Sequence, residues 1–229
     1  MAEEVSGVGK DPEIRGVPEI PEIEIEAEKK KVDSSTPEFW EDLYRRRFMP
    51  WDSAGLPHDL EALTADIAAP ARMLIPGCGA AYEARYFAEE RGFAVTAIDF
   101  SEAAVELAAA TLAGVEAEIF REDFFALADR AAGRFDLIYE RAFLCSLKPK
   151  MRPDYLDACR RLLAPGGVLF GFFFVAPNRK GPPFPIPDDE LKALFRSGFD
   201  LVCECPVEDS LDVFGDDERF FGWRLRSCV

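Results

Sequence analysis

Met73-Leu74-Ile75-Pro76-Gly77-Cys78-Gly79 is the stretch from which the fold is read. With Arg72 before it, it forms a short apolar strand that runs into two glycines, and Ala81 to Arg91 behind them is helical. Glycine in such a turn lets the backbone approach a ligand closely, with a helix N-terminus facing that ligand. A dinucleotide fingerprint needs a third glycine at position 82, and that position is Tyr82. A pyrophosphate-binding site is therefore disfavoured.

Outward from this turn, strands and helices alternate. Ala94 to Asp99 is a strand, and Ser101 caps a helix to about Leu112. Ala117 to Phe120 is a weak strand and Phe135 to Tyr139 a stronger one. Arg152 to Leu163 is a helix stopped by Pro165-Gly166-Gly167. Val168 to Val175 is a continuous apolar strand, the pattern of a central position. Asp188 caps a helix to Ser197, closed by Gly198, and Leu201 to Val207 with Arg219 to Leu225 makes a closing hairpin. The fold class is α/β: a Rossmann-like, mostly parallel sheet of seven strands with helices on both faces and right-handed crossovers. Ligands in such sheets bind at the carboxyl ends of the strands.

Upstream, Thr36 reads as an N-cap with Pro37 at the first helical position, and the helix runs to about Arg47. A loop with Pro50, Trp51, Gly55 and Pro57 follows, then a second helix from His58 to Ile67. Residues 1–35 read as a separate acidic segment, Pro18-Glu19-Ile20-Pro21-Glu22-Ile23-Glu24-Ile25-Glu26 ending in three lysines. Its few large apolar residues predict a disordered tail, with an added edge strand as the alternative. The domain then spans residues 36–229.

Composition narrows the function. The chain has 229 residues, and 27 Lys and Arg stand against 43 Asp and Glu, a formal net charge of -16. Such a surface repels phosphate backbones, so no nucleic-acid partner is expected. The longest nearly apolar run, Val168 to Ala176, is too short to span a bilayer, and no secretory leader is apparent, so the expectation is a cytoplasmic protein without membrane contact. Six cysteines without a Cys-x-x-Cys pair predict reduced thiols and no zinc. The single histidine, His58, excludes a two-histidine metal site and reads as a helix-start residue. Phe supplies 20 residues against 5 Tyr and 3 Trp, which predicts a phenylalanine-rich core or pocket.

Three further motifs carry chemistry. Asp99 ends the second strand, 22 residues past Gly77, where a carboxylate suits a ribose diol. The competing role for Asp99 is capping the next helix. In Glu122-Asp123-Phe124-Phe125, an acid followed by aromatics suits an adenine, by carboxylate to exocyclic amine and ring to ring; the competing role is a solvated acid beside core rings. Phe135 to Cys145 delivers Tyr139, Glu140 and Arg141 to the active edge, with a structural Glu–Arg ion pair as the plain alternative.

Together with Pro165-Gly166-Gly167, these motifs resemble the class I S-adenosylmethionine-dependent methyltransferases. Phe39-Trp40, Pro50-Trp51-Asp52, Ile75-Pro76-Gly77-Cys78-Gly79, Tyr139-Glu140-Arg141-Ala142-Phe143-Leu144 and Gly181-Pro182-Pro183-Phe184-Pro185 are similar to the thiopurine S-methyltransferase family, including its halide/thiol branch. The resemblance covers Thr36 to the C-terminus. It implies a last strand that is antiparallel, S-adenosyl-L-methionine as cofactor and an N-terminal aromatic segment covering it. Trp40 and Trp51 are then cofactor neighbours, consistent with attraction of a sulfonium by an aromatic face. Pro76, Gly77, Cys78, Gly79, Asp99, Phe100, Asp123, Phe124 and Tyr139 complete the cofactor side.

A soft acceptor such as a thiolate needs no base within an in-line displacement, which suits a chain with one histidine. Arg141 matches the family position that assists thiol or anion acceptors, and Glu140 stands where members often carry Asp. Tyr139 orients the acceptor or the methyl donor. Phe143, Phe173 and Phe184 are expected to build an apolar acceptor pocket. Cys78 and Cys145 are read as packing residues. The expected reaction is methyl transfer to a small thiol. The alternatives are halide or thiocyanate methylation, or a cofactor-binding interaction protein without catalysis.

Overall fold

A computed structural model describes Glu24–Ile25, Lys30–Lys31 and residues 33–226. Seven strands form one sheet: β1 Arg72–Pro76, β2 Ala94–Asp99, β3 Glu118–Arg121, β4 Phe135–Arg141, β5 Leu163–Phe174, β6 Phe199–Pro206 and β7 Glu218–Leu225. Their order is β3-β2-β1-β4-β5-β7-β6. The pairs from β3 through β5 are parallel, and β7 runs antiparallel to both β5 and β6. Order reverses at β1, so the Gly77–Gly79 turn opens at the topological switch point, where such sheets bind ligands.

Helices cover both faces: α1 Pro37–Arg45, α2 Leu60–Thr64, α3 Tyr82–Glu89, α4 Glu102–Thr111, α5 Phe124–Ala128, α6 Arg152–Leu162 and α7 Asp188–Phe195. The period-2 alternation of strand side chains separates two cores. Met73, Ile75, Val95, Leu137, Phe170 and Phe172 pack toward α3 and α4, where Phe87 and Ala108 meet them. Leu74, Ile98, Ile138, Leu169, Phe173 and Phe221 pack toward α5, α6 and α7. Eleven of the 20 phenylalanines are buried in these two layers. Gly171 is required by close approach: a Cβ there would sit 1.8 Å from the Glu140 carbonyl oxygen on β4.

Three sequence expectations shift. The helix expected from His58 to Ile67 is only Leu60–Thr64. The apolar strand begins at Leu163 rather than Val168, because Pro165-Gly166-Gly167 is carried in the strand beside a register shift between Phe135 and Leu137. Asp188 does not cap α7: it is the first helical residue, and its Oδ2 accepts from Lys192 Nζ at 2.9 Å.

The expected disordered tail lies almost wholly outside the described residues. Within it, Glu24–Ile25 pairs antiparallel with Lys30–Lys31 in a ribbon of its own and adds no strand to the main sheet. Asp33 to Ser35 pack onto the domain, since the Ser34 carbonyl accepts from Trp40 Nε1 at 2.7 Å and Asp33 pairs with Lys148. Among the described residues no helix is long and apolar enough to cross a membrane.

Candidate active site

The cavity lies over the carboxyl ends of β1, β2 and β4. Its floor is Ile75 to Ala81, the turn between β1 and α3. Gly77 and Gly79 both take positive φ, +58° and +51°, which glycine adopts without a Cβ clash. A Cβ on Gly77 would meet the Phe143 ring at 2.5 Å, and one on Gly79 would come within 3.1 Å of the Tyr44 hydroxyl. These two side chains line the same cavity, so glycine is what lets cover and floor close together.

Asp99 is buried at the end of β2. Its Oδ1 accepts from Ser101 N at 3.0 Å and its Oδ2 from Gly79 N at 3.3 Å, tying the strand end to the glycine turn. Burial pushes its pKa up to about 6, against the pull of those backbone N–H groups. The cap of α4 is Ser101, whose hydroxyl accepts from Ala104 N, so Asp99 is free to face the cavity with Phe100 beside it. Asp123 caps α5: its Oδ1 accepts from Phe125 N at 2.8 Å and Ala126 N at 2.9 Å. Asp123 and Phe124 both line the cavity.

The opposite wall is aromatic. Trp40, Tyr44 and Trp51 come from α1 and the loop after it. Trp51 sits edge-on to both others, with centroids 5.3 Å from Trp40 and 5.7 Å from Tyr44. Glu41 anchors α1 to the α4 N-terminus, accepting from Ser101 Oγ at 2.7 Å and Ala103 N at 3.0 Å.

Strand alternation parts Glu140 from Arg141. Glu140 is buried and accepts from Leu144 N at 2.8 Å; burial holds its pKa up near 8. Arg141 points to the α3 side, with its guanidinium 5.2 Å from the Phe172 ring centroid and its Nε 3.4 Å from Glu218 Oε1. The alternative of a Glu140–Arg141 ion pair is therefore not what forms: Arg141 pairs with Glu218, two nearly fully buried side chains. Glu218 also accepts from Leu211 N at 2.6 Å, joining Arg141 to the segment that brings Val213 and Phe214 to the cavity. Ala142, next in the chain, takes a positive φ of 61°, a strained position for a non-glycine residue at the strand's functional end.

Of the residues expected from sequence, Trp40, Trp51, Pro76, Gly77, Cys78, Gly79, Asp99, Phe100, Asp123, Phe124, Tyr139, Arg141 and Phe143 line this one cavity. Phe173 does not. Alternation turns it toward α7, where it meets Phe195 and Phe221 edge-on. Phe174 faces the other way and stacks on Phe214 at 4.5 Å. Phe184 is also displaced. Its N–H donates to the Cys145 carbonyl and its carbonyl accepts from Arg152, so Pro182 and Pro183 reach the cavity instead. Burial raises the Cys78 and Cys145 thiols well above their usual range, which leaves them poor nucleophiles. His58 is exposed beside Asp59, away from the cavity lining.

Sequence reasoning missed Tyr44, Glu83, Met151, Val213 and Phe214, all on the lining. For Tyr44 a signal existed, since it stands one helical turn after Trp40 on the same face. Val213 and Phe214 reach the site only through a long-range contact.

A family model described as thiopurine S-methyltransferase matches residues 35–225. The chain is 32% identical over 196 residues to probable thiol methyltransferase 2 of Arabidopsis thaliana, covering 82% of this chain and 85% of that one. It is 31% identical over 153 residues to thiocyanate methyltransferase 1 of Brassica oleracea, covering 64% and 66%. Among solved structures it is similar to the 1,6-didemethyltoxoflavin-N1-methyltransferase of Burkholderia thailandensis, which holds S-adenosylhomocysteine. That match has a TM-score of 0.69 at 22% identity over 83% of this chain and 87% of that one, a likeness of fold.

Proposed function

The chain belongs to the thiopurine S-methyltransferase family, and from that premise we propose that its cavity methylates the sulfur of a small thiol with S-adenosyl-L-methionine as the methyl donor. The observation that carries this reading is one cavity holding a buried strand-end carboxylate, an aromatic wall and a buried arginine. The residues present fit the donor. Asp99 supplies a buried acceptor for two ribose hydroxyls, Asp123 and Phe124 supply an acceptor and a ring for an adenine, and the glycine turn lines the cavity without side chains at Gly77 and Gly79. Trp40, Tyr44 and Trp51 offer aromatic surfaces to a cation, each contact worth about 0.5–2 kcal/mol.

S-adenosylmethionine supplies an electrophilic methyl group on a sulfonium. The chain's own task is to hold the acceptor in line, exclude water and favour the thiolate. Arg141 performs the last: a guanidinium near a thiol lowers its pKa from about 8.5 and raises the thiolate share at neutral pH. Phe143, Pro182, Pro183, Val213 and Phe214 give the acceptor an apolar, dry surround.

The relative from Brassica oleracea carries a thiocyanate methyltransferase name, so an anionic acceptor is the second reading. The apolar surround from Phe143, Pro182, Pro183, Val213 and Phe214 opposes it, because it suits an acceptor with a carbon body better than a small hydrated anion. The test is release of S-adenosylhomocysteine with sulfide, alkyl thiols, an aromatic thiol, a thiopurine, thiocyanate and iodide. Turnover on thiols alone is the expected result. Preference for iodide or thiocyanate moves the site to the second reading, and cofactor binding without turnover on any acceptor removes the thiol assignment.

A further inference from the structure

The charges that line the cavity are unbalanced. Among the described residues Asp52, Glu83, Asp99, Glu122 and Asp123 face it, against one cation, Arg141, whose guanidinium is paired with Glu218 outside the lining. Four of these five carboxylates are engaged by the fold itself. Asp52 accepts from Ala54 N at 2.7 Å, Asp99 from Ser101 and Gly79, Asp123 from the first turn of α5, and Glu122 pairs with Arg130. Glu83 is different. Among the described side chains its hydrogen-bond partner is the Tyr139 hydroxyl, which donates to Oε1 at 3.3 Å. Burial pushes the Glu83 carboxyl up from its ordinary value, with Arg141 pulling the other way and Asp52 adding to the rise. An ionised carboxylate in that position needs a cation.

Topology says which end of a ligand arrives there. Asp99 ends β2 and Asp123 follows β3, so the nucleoside-type acceptors stand on one side of β1. Tyr139 is on β4, on the other side of β1, and Glu83 is in the first turn of α3 directly after the glycine turn. A molecule whose adenosine lies over β2 and β3 and which crosses the Gly77–Gly79 turn delivers its far end to Glu83 and Tyr139. In S-adenosylmethionine that end is an amino acid, whose α-ammonium offers three N–H donors and a positive charge.

We propose that Glu83, oriented by the Tyr139 hydroxyl, is the counter-ion for the α-ammonium of the methyl donor. The proposal rests on the S-adenosylmethionine reading of the cavity and adds a cofactor-binding residue to it, with Tyr139 as its positioning residue. It also gives the acidic lining a purpose, since a ligand with two positive centres is favoured there over an anion.

Binding to the full chain tests this without turnover. Calorimetry compares S-adenosylhomocysteine with 5′-methylthioadenosine, which keeps the nucleoside and lacks the amino-acid end. Glu83→Gln is expected to weaken S-adenosylhomocysteine by about ten- to a hundredfold and to leave 5′-methylthioadenosine within about twofold, the size of a lost charge-assisted contact. Tyr139→Phe should weaken the first ligand less, and Glu83→Asp should restore part of the loss. Equal weakening of both ligands by Glu83→Gln, or no weakening of either, overturns the proposal. A second measurement needs no variant: the wild type should bind S-adenosylhomocysteine at least about tenfold more tightly than its deaminated analogue, which keeps the carboxylate. Equal affinities overturn the proposal as well. A wild type that binds none of these ligands overturns the cofactor reading itself, whereas tight binding of all of them alike removes only Glu83.

Discussion

At the scale of single residues, Arg141 and Glu218 have to be treated together. Their side chains are 8% and 0% exposed, and removing one leaves the other as an unpaired buried charge. Arg141→Gln is expected to lower stability by about 3–5 kcal/mol for that reason alone. Arg141→Gln with Glu218→Gln removes both charges and should recover most of the loss. Methylation by the double variant should still fall by about tenfold or more for alkyl thiols of high pKa, and less for an aromatic thiol already ionised at the assay pH. Equal rates for both thiol classes in the double variant would remove Arg141 from thiolate stabilisation. Glu140 yields a pH prediction. Its ordinary value is 4.5 and burial holds it up near 8, so the unfolded chain releases this proton first as pH rises. Its contribution to stability is therefore full below about 4.5 and is lost progressively as pH climbs through about 8. Glu140→Gln keeps an acceptor for Leu144 N and does not titrate, so its Tm should be flatter from about pH 5 to pH 8 and should match or exceed the wild type at the upper end. Parallel melting curves across that range would show that this acid is not the source.

At the scale of elements, β1 and β2 were legible in the sequence because each is a short, mostly apolar run closed by glycine or an acid, and Gly77, Gly79 and Asp99 mark where they end at the site. What eluded the sequence were features set by contact across the sheet. Phe173 and Phe174 are adjacent in one apolar run, and only the register of β5 against β7 decides which of them faces α7. Arg141 and Glu218 are 77 residues apart, so no local pattern joins them. The long β5 illustrates the same limit: Pro165-Gly166-Gly167 reads as a stop, yet its neighbours keep it in the sheet through a register shift. The cover helix α1 depends on one such contact. Glu41 links it to the N-terminus of α4 through Ser101 Oγ and Ala103 N, where a carboxylate also meets the positive end of the helix. Glu41→Ala is expected to cost about 1 kcal/mol of global stability, as loss of a helix-end partner does. Because α1 carries Trp40 and Tyr44, the same change should weaken S-adenosylhomocysteine binding severalfold by loosening the aromatic wall. Calorimetry beside thermal melting separates the two, and an unchanged affinity would show that the wall is held without this link.

At the scale of the whole molecule, charge is the dominant feature. A net charge of -16 means that folding gathers like charges into a smaller volume, a repulsion that acts over long distances. Many ion pairs run the other way: Arg45–Glu106, Arg72–Asp136 and Arg161–Asp129 all lie on the exposed surface. Each such pair is worth only about 0–1 kcal/mol. Salt acts unequally on the two terms. The screening length falls from about 30 Å at 0.01 M to about 8 Å at 0.15 M, so it removes repulsion between distant carboxylates and weakens exposed partners in direct contact by a smaller fraction. The Tm should therefore rise by several degrees over that range of sodium chloride. The cavity obeys the same electrostatics with the opposite sign, because its carboxylates attract a cationic ligand. Affinity for S-adenosylmethionine should fall with salt more steeply than affinity for S-adenosylhomocysteine, which lacks the sulfonium charge. Titrations of both ligands at about 0.01 M and about 0.15 M salt, alongside melting curves, check the pair of effects. A Tm that falls with salt would mean that surface pairing outweighs net repulsion. Identical salt slopes for the two ligands would mean that the lining carboxylates do not sense the sulfonium.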